Sequence, residues 1–128
     1  MKLLLDTHAF FWAVADSAKL SKGASEAIRS TDNELFLSSA VAWELTTKYR
    51  IGKFPQAKSI IEDFESLAED LVARHLPITS EHVIRAGIML VRHRDPFDRV
   101  LAAQAQIEGL HLITRDPVFG AFDVKLVW

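Results

Sequence analysis

Cysteine is absent from this 128-residue chain, which excludes disulfides and thiolate-bound metal. The same absence fits a reducing compartment, and the expected localisation is cytoplasmic. Glycine and proline are scarce, at five and four residues, and leave little for linkers. No repeat or low-complexity stretch interrupts the chain. Neither sign of charge dominates: 15 Lys and Arg face 17 Asp and Glu, a formal net charge of −2. Overall charge therefore gives no warrant for nucleic-acid binding, and any basic surface must be local. The longest apolar run, Ala9–Ala15, is far short of the ~18 residues that a membrane span needs, so no membrane partner is expected. An acid at position 6 comes too early for the apolar core of a secretion signal. What is present is a 49% hydrophobic, 25% charged composition, ordinary for a soluble globular protein. The length suits one compact domain over residues 1–128.

The pattern alternates between strand and helix signals. Lys2–Leu5 is a short apolar run ending at Asp6, as a buried first strand would be. Ala9–Ala15 opens a helix, Lys22–Ser30 forms another, and Thr31, Asp32 and Asn33 make a turn. Leu35–Leu37 reads as a second buried strand. Ser38 and Ser39 offer caps for a helix over Ala40–Arg50, closed by Gly52. Apolar residues at 57, 60, 61, 64, 67, 68, 71 and 72 lie on one helical face and predict a single helix over Ala57–Ala73. Arg74–Ile78 is a short strand that Pro77 confines to an edge or an end. Ser80 is expected to cap a helix to about Arg92. Pro96 suits the first turn of a helix to Glu108, with Gly109 beyond it. His111–Ile113 and Val124–Val127 complete the strands. Strands alternating with helices specify an α/β fold with a mainly parallel sheet. In such sheets, sites lie outside the carboxyl ends of the strands.

Acids occupy those ends. Asp6 follows the first strand directly, and Asp116 follows His111–Ile113 by a few residues. Glu44 lies in the helix after Leu35–Leu37, and Asp95 and Asp98 open the helix over Pro96–Glu108. Clustered carboxylates repel one another unless a positive charge stands between them. All-oxygen ligands, without Cys or paired His, suit Mg²⁺ or Mn²⁺ better than zinc. Such an ion can activate water and neutralise charge on a departing oxygen, as phosphate chemistry requires. Each acid also has a plainer use. Asp6, Asp95 and Asp116 can cap helices or turns. Asp98 gains from the helix dipole, about 0.3–1 kcal/mol. Glu44 stands four residues before Lys48, an ion pair worth ~0.2–0.5 kcal/mol on a helix surface. Yet Glu44 is set in Val41-Ala42-Trp43-Glu44-Leu45, an apolar setting for a surface acid. The joint placement at strand-to-helix handovers favours a shared site.

The other candidates are weaker. Lys48, Arg50 and Lys53 cluster after the third helix, and Arg92, Arg94 and Arg99 flank Asp95 and Asp98. These can contact phosphates or simply form a solvated face. His8 and His93 flank the acids and more often pack or cap than catalyse. Thr114 can orient a water or satisfy its own turn. Trp12, Trp43 and Phe97 read as core.

Four segments carry a resemblance. Leu3-Leu4-Leu5-Asp6-Thr7-His8 looks like the opening of PIN-domain proteins, and Ser38-Ser39-Ala40-Val41-Ala42-Trp43-Glu44-Leu45 resembles their second acidic motif. The run from His93 to Ala105, containing Asp95-Pro96-Phe97-Asp98-Arg99, resembles the third in the form seen in VapC-like toxins. Ile113-Thr114-Arg115-Asp116-Pro117-Val118-Phe119 matches the fourth. The resemblance implies a three-layer α/β/α fold and Mg²⁺- or Mn²⁺-dependent endoribonuclease activity that leaves 5′-phosphate and 3′-hydroxyl ends. It also implies neutralisation by a cognate antitoxin protein, and a homodimer. Carried over by position, Asp6, Glu44, Asp98 and Asp116 are the acidic quartet. Asp6 and Asp98 are the principal metal ligands, with Asp116 and Glu44 completing the site directly or through water. Asp95, usual only in the toxin subgroup, falls to capping or support. Thr114, Arg99 and His8 are supporting or substrate-contacting candidates.

Two other classes compete. A non-catalytic PIN-fold module would keep the fold and bind RNA or a protein, with its acids serving as caps. A haloacid-dehalogenase-type phosphatase also places an Asp after its first strand, but needs another two positions on, where this chain has His8. A dinucleotide-binding domain is poorer still, because no Gly-x-Gly-x-x-Gly follows the first strand of this chain.

Overall fold

The computed structural model describes residues 1–128. Five strands form one fully parallel sheet in the order β3-β2-β1-β4-β5: β1 Lys2–Leu5, β2 Glu34–Ser38, β3 Ala73–Leu76, β4 His111–Ile113 and β5 Leu126–Val127. The central strand explains the arrangement. Leu3, Leu4 and Leu5 point alternately to the two sides of the sheet, and all three are wholly buried. A strand apolar on both faces needs cover on both. The helices are α1 Thr7–Ala15, α2 Lys22–Arg29, α3 Ser39–Arg50, α4 Lys58–Glu62, α5 Phe64–Asp70, α6 Ser80–Ile88 and α7 Pro96–Glu108. Helices α1, α3 and α4 pack on one another, while α6 and α7 form a closely packed pair, with α7 against β4. None is long and apolar enough to cross a membrane.

The chain steps outward from β1 to β2 to β3, then returns across the sheet to β4. Under the right-handed crossover rule, that reversal puts the later helices on the opposite face from the earlier ones. It also opens a crevice between β1 and β4, where chains leave in opposite directions. Leu5 is level with Ile113, and the Asp6 amide donates to the Ile113 carbonyl at 3.1 Å. The residues just beyond both strands therefore face the same crevice.

Most expected elements lie within one or two residues of their predicted bounds, and three expectations need correction. The region 57–73 is not one helix. It breaks at Asp63 between α4 and α5, and Val72 turns into the left-handed region at φ 55° before β3 begins. Ile60 and Ala68 stay buried, so the apolar face survives the break. Helix α6 starts from a Thr79 cap and stops at Ile88, not near Arg92. The Arg99 guanidinium accounts for this, because it donates to the carbonyls of Ala86, Met89, Val91 and His93 at 2.6–2.9 Å. Carbonyls at a helix end need partners, and here one side chain supplies them, so residues 90–94 run on without helical bonds. Trp43 is half exposed rather than core, with its ring edge-on to Phe97 at 4.6 Å. Trp12 and Phe97 are buried.

Candidate active site

Strand ends and helix starts deliver the acids to one place. Asp6 directly follows β1 and caps α1, its Oδ1 accepting the Ala9 amide at 2.7 Å. Asp116 follows β4 and caps a short 3-10 turn over Pro117–Phe122, accepting the Val118 amide at 3.0 Å. Asp95 caps α7 through the Phe97 and Asp98 amides, at 2.9 and 3.2 Å. Asp98 sits in the first turn of that helix, and Glu44 projects from α3. All five acids line one cleft of about 250 Å³, together with Thr7, His8, Lys48, His93 and Phe119. The cleft lies at the crevice between β1 and β4.

The acids are held in different ways. Glu44 is buried and accepts hydrogen bonds from the Thr7 hydroxyl and the Lys48 ammonium. Asp98 receives a 2.7 Å hydrogen bond from His93 Nε2. The Thr114 hydroxyl oxygen accepts the Asp116 amide at 3.0 Å. Asp6, Asp98 and Asp116 each commit one carboxylate oxygen to the contacts named, which leaves acceptor capacity on the other.

Charge in the cleft is under strain. Burial raises the Asp6 pKa, and the Glu44 charge adds to this, against the Thr114 and Ala9 hydrogen bonds and His8. Burial likewise pushes Asp98 up to about 6, with the charges of Asp95 and Glu44 adding to it and His93 opposing. For Lys48, burial disfavours the ammonium, but Glu44, Asp95 and Asp98 outweigh it and lift the pKa. Carboxylates driven towards their neutral form by burial, and further by one another's charge, make a place where a cation would be welcome.

No three of these side chains form a closed chelating set. That does not conflict with Mg²⁺, which keeps several waters and needs only one or two carboxylates. An all-oxygen donor set, open in shape and short of positive charge, fits that ion.

The acids lie where the sequence pattern puts them, but several of their partners do not follow from it. Thr7 bonds Glu44, and a hydroxyl directly after Asp6 is its only signal in the sequence. His93, a residue type that more often packs or caps, bonds Asp98. Glu44 is only 4% exposed, in keeping with its apolar setting in the sequence, and its pair with Lys48 belongs to the cleft wall and not to an open helix surface. Arg99, a candidate for phosphate contact, turns inward and uses Nε, Nη1 and Nη2 on backbone carbonyls. His8 is exposed at the cleft rim, its ring 5.3 Å from Trp12 and 6.0 Å from Phe54.

Comparison with known proteins bears on this geometry. A family model described as the PIN domain matches residues 3–125. Ribonuclease VapC22 of Mycobacterium tuberculosis is 32% identical over 117 residues, covering 89% of this chain and 86% of that protein. Among solved structures, VapBC2 from Rickettsia felis, bound to a DNA fragment from its promoter, superposes with TM-score 0.67 at 17% identity, covering 98% of this chain and 97% of that one. FitAcB from Neisseria gonorrhoeae gives TM-score 0.65 at 21% identity, covering 97% and 95%. At those identities the structural likeness is one of fold.

Proposed function

The chain belongs to the PIN-domain family, and from that premise we propose that it is a divalent-metal-dependent endoribonuclease, the toxin of a toxin–antitoxin pair. One observation carries the catalytic part: Asp6, Glu44, Asp98 and Asp116, from four separate segments, line a single cleft where the sheet changes direction. The similarity to Ribonuclease VapC22 supports RNA as the substrate. VapBC and FitAB assemblies among the fold neighbours support a cognate antitoxin partner. A cytoplasmic location and a homodimer go with the same reading.

The reaction is hydrolysis of an RNA phosphodiester. Water attacks phosphorus in line, a new P–O bond forms, and the bond to the 3′ oxygen breaks. The 3′ oxygen takes up a proton, and the phosphate stays on the 5′ side of the downstream fragment. Asp6 and Asp98 would hold Mg²⁺ or Mn²⁺, with Asp116 beside them. When bound, the ion supplies Lewis-acid stabilisation and lowers the pKa of water. Glu44 has a different part. Its charge is matched by Lys48 and its orientation is set by Thr7, so it serves to fix the wall of the cleft. Asp116, on the cleft wall, would orient the attacking water and accept its proton, and Thr114 would support it by accepting its amide. His93 holds Asp98 in one rotamer through Oδ2.

The test is antitoxin-free protein incubated with total RNA, with Mg²⁺ and with EDTA. Cleavage should require the ion and leave 5′-phosphate and 3′-hydroxyl ends. Ends carrying a 2′,3′-cyclic phosphate would overturn the mechanism, because the attacker would then be the neighbouring 2′-hydroxyl. RNA binding without cleavage under either condition would identify a non-catalytic binding module instead.

A further inference from the structure

Lys48 and His93 in the acid cleft, and Arg99 beside it, are already engaged, whereas Arg92 and Arg94 border another hollow with His93 and Arg99. Lys48 is tied to Glu44, His93 to Asp98, and Arg99 to four backbone carbonyls. Arg115 differs. It stands between Thr114 and Asp116 beyond β4, exposed, with its guanidinium carbon 4.6 Å from the centroid of the Trp12 ring. No carboxylate or carbonyl of the protein takes its N–H donors, although Asp116 is its neighbour in the chain. The pocket it borders, about 310 Å³, is lined by Asp6, His8, Trp12, Arg115, Asp116 and Pro117. Asp6, His8 and Asp116 line the acid cleft as well, so the two hollows share a wall.

We propose that Arg115, braced on Trp12, is a substrate-positioning residue that holds the phosphate next to the one being cut. This rests on the ribonuclease reading above. An RNA strand brings one negative charge per nucleotide to a cleft that is itself acidic. A divalent ion answers the charge of the phosphate under attack but leaves its neighbours facing carboxylates. The strand therefore needs a cation beside the cleft that is not already neutralised. Arg115 meets that need, and its geometry suits the task. Stacking on an aromatic face covers one side of the guanidinium and leaves its edge free. That edge carries paired N–H groups that match two phosphate oxygens. The platform is firm, because Trp12 is only 6% exposed and its ring lies 5.8 Å from that of Trp128. Lysine at this position would keep the charge but lose both the fork and the stack.

The experiment measures binding of a fluorescently labelled single-stranded oligoribonucleotide by anisotropy, in EDTA, across a KCl series. Wild type, Arg115→Ala and Arg115→Lys are compared, with Arg29→Ala as a cation control on α2. Arg115→Ala should bind about tenfold more weakly at low salt. Its plot of log affinity against log salt should flatten by about 0.7, the signature of one lost phosphate contact on a single strand. Arg115→Lys should keep most of the slope and regain only part of the affinity, and Arg29→Ala should change neither. Because Arg115 is exposed, its variants should melt like wild type. Wild-type affinity and slope in Arg115→Ala would overturn the proposal. The same proteins are then assayed for cleavage with Mg²⁺, where Arg115→Ala should raise KM and spare kcat. If wild type cuts no RNA while Arg115→Ala still weakens binding, the phosphate contact stands and the ribonuclease reading falls. If wild type cuts RNA and Arg115→Ala binds normally, the Arg115 proposal alone falls.

Discussion

The two sides of the acid cleft are built on different principles. Asp6 and Asp116 stand at strand tips and are oriented by backbone amides, as caps of the turns that follow them. Glu44 and Asp98 stand on helices and are oriented by side chains, from Thr7 and Lys48 in one case and His93 in the other. A backbone cap depends on the fold alone, and Asn can serve it nearly as well as Asp. A side-chain partner is a second charge that changes the acid it holds. Position on the strand-tip side is thus cheap and robust. On the helix side, position is coupled to charge, and any cation entering the cleft must compete with Lys48 and His93.

The largest test asks whether both sides serve one reaction. Asp6→Asn and Asp98→Asn should each lower cleavage by about 10²–10³-fold, the usual cost of removing a group aimed at the charge that develops in the reaction. Circular dichroism should show both variants folded. If only one variant loses activity, the two sides do not form a single site. The next test concerns the charge coupling. Lys48→Met removes the partner of buried Glu44 and should cost about 3 kcal/mol in urea unfolding, because a buried charge is left uncompensated. A loss below about 0.5 kcal/mol would mean that Glu44 behaves like a capped acid and that the contrast is false.

The same contrast explains what was legible in the sequence. Asp6 and Asp116 were readable because their positions follow from local pattern: an apolar run, then an acid, then a turn or helix start. The α/β class and the parallel sheet were readable for the same reason. The helix-side partners were not. The i,i+4 spacing of Glu44 and Lys48 was visible, but not the Thr7 hydroxyl, 37 residues away, that closes over the acid. Nor does spacing disclose that Arg99 turns inward. Its donors reach carbonyls 6 to 13 residues back, and that contact ends α6 four residues earlier than the apolar pattern suggested. The break at Asp63 was hidden because the apolar face continues across it. Tertiary contacts decided each of these, and a periodic pattern carries no information on them.

Titration tests the helix side at a smaller scale. The Asp98 pKa is about 6 in the folded chain, against an ordinary value of 3.8. An acid with a raised folded pKa binds its proton more tightly when folded. Its contribution therefore favours folding at low pH, fades as pH rises from about 4 to about 6, and leaves a constant penalty above that. At pH 7 the penalty is on the order of 2 kcal/mol, allowing for the part of the side chain still open to solvent. Asp98→Asn should consequently be more stable than wild type at pH 7, with the gap closing towards pH 4. Added Mg²⁺ should raise the wild-type melting temperature at pH 7 and have less effect at pH 5, where protons compete for the same oxygen. A gap that is constant across this range would mean that Asp98 is not held in the environment described.

The smallest expected effect is at Asp116, and it tests the strand-tip side directly. This carboxylate is exposed, and its one assigned protein contact is the Val118 amide. Asn can accept that hydrogen bond, so Asp116→Asn should change stability by no more than a few tenths of a kcal/mol. Asp116→Ala removes the cap and should cost about 1 kcal/mol. Stability and cleavage should then diverge. Asn and Ala would differ in unfolding, yet both would lose the same catalytic charge and show the same reduced rate. Equal rates with unequal stabilities would separate the cap from the carboxylate within one residue. A rate that tracked stability instead would reduce Asp116 to a turn former and confine the chemistry to Asp6 and the helix-side acids.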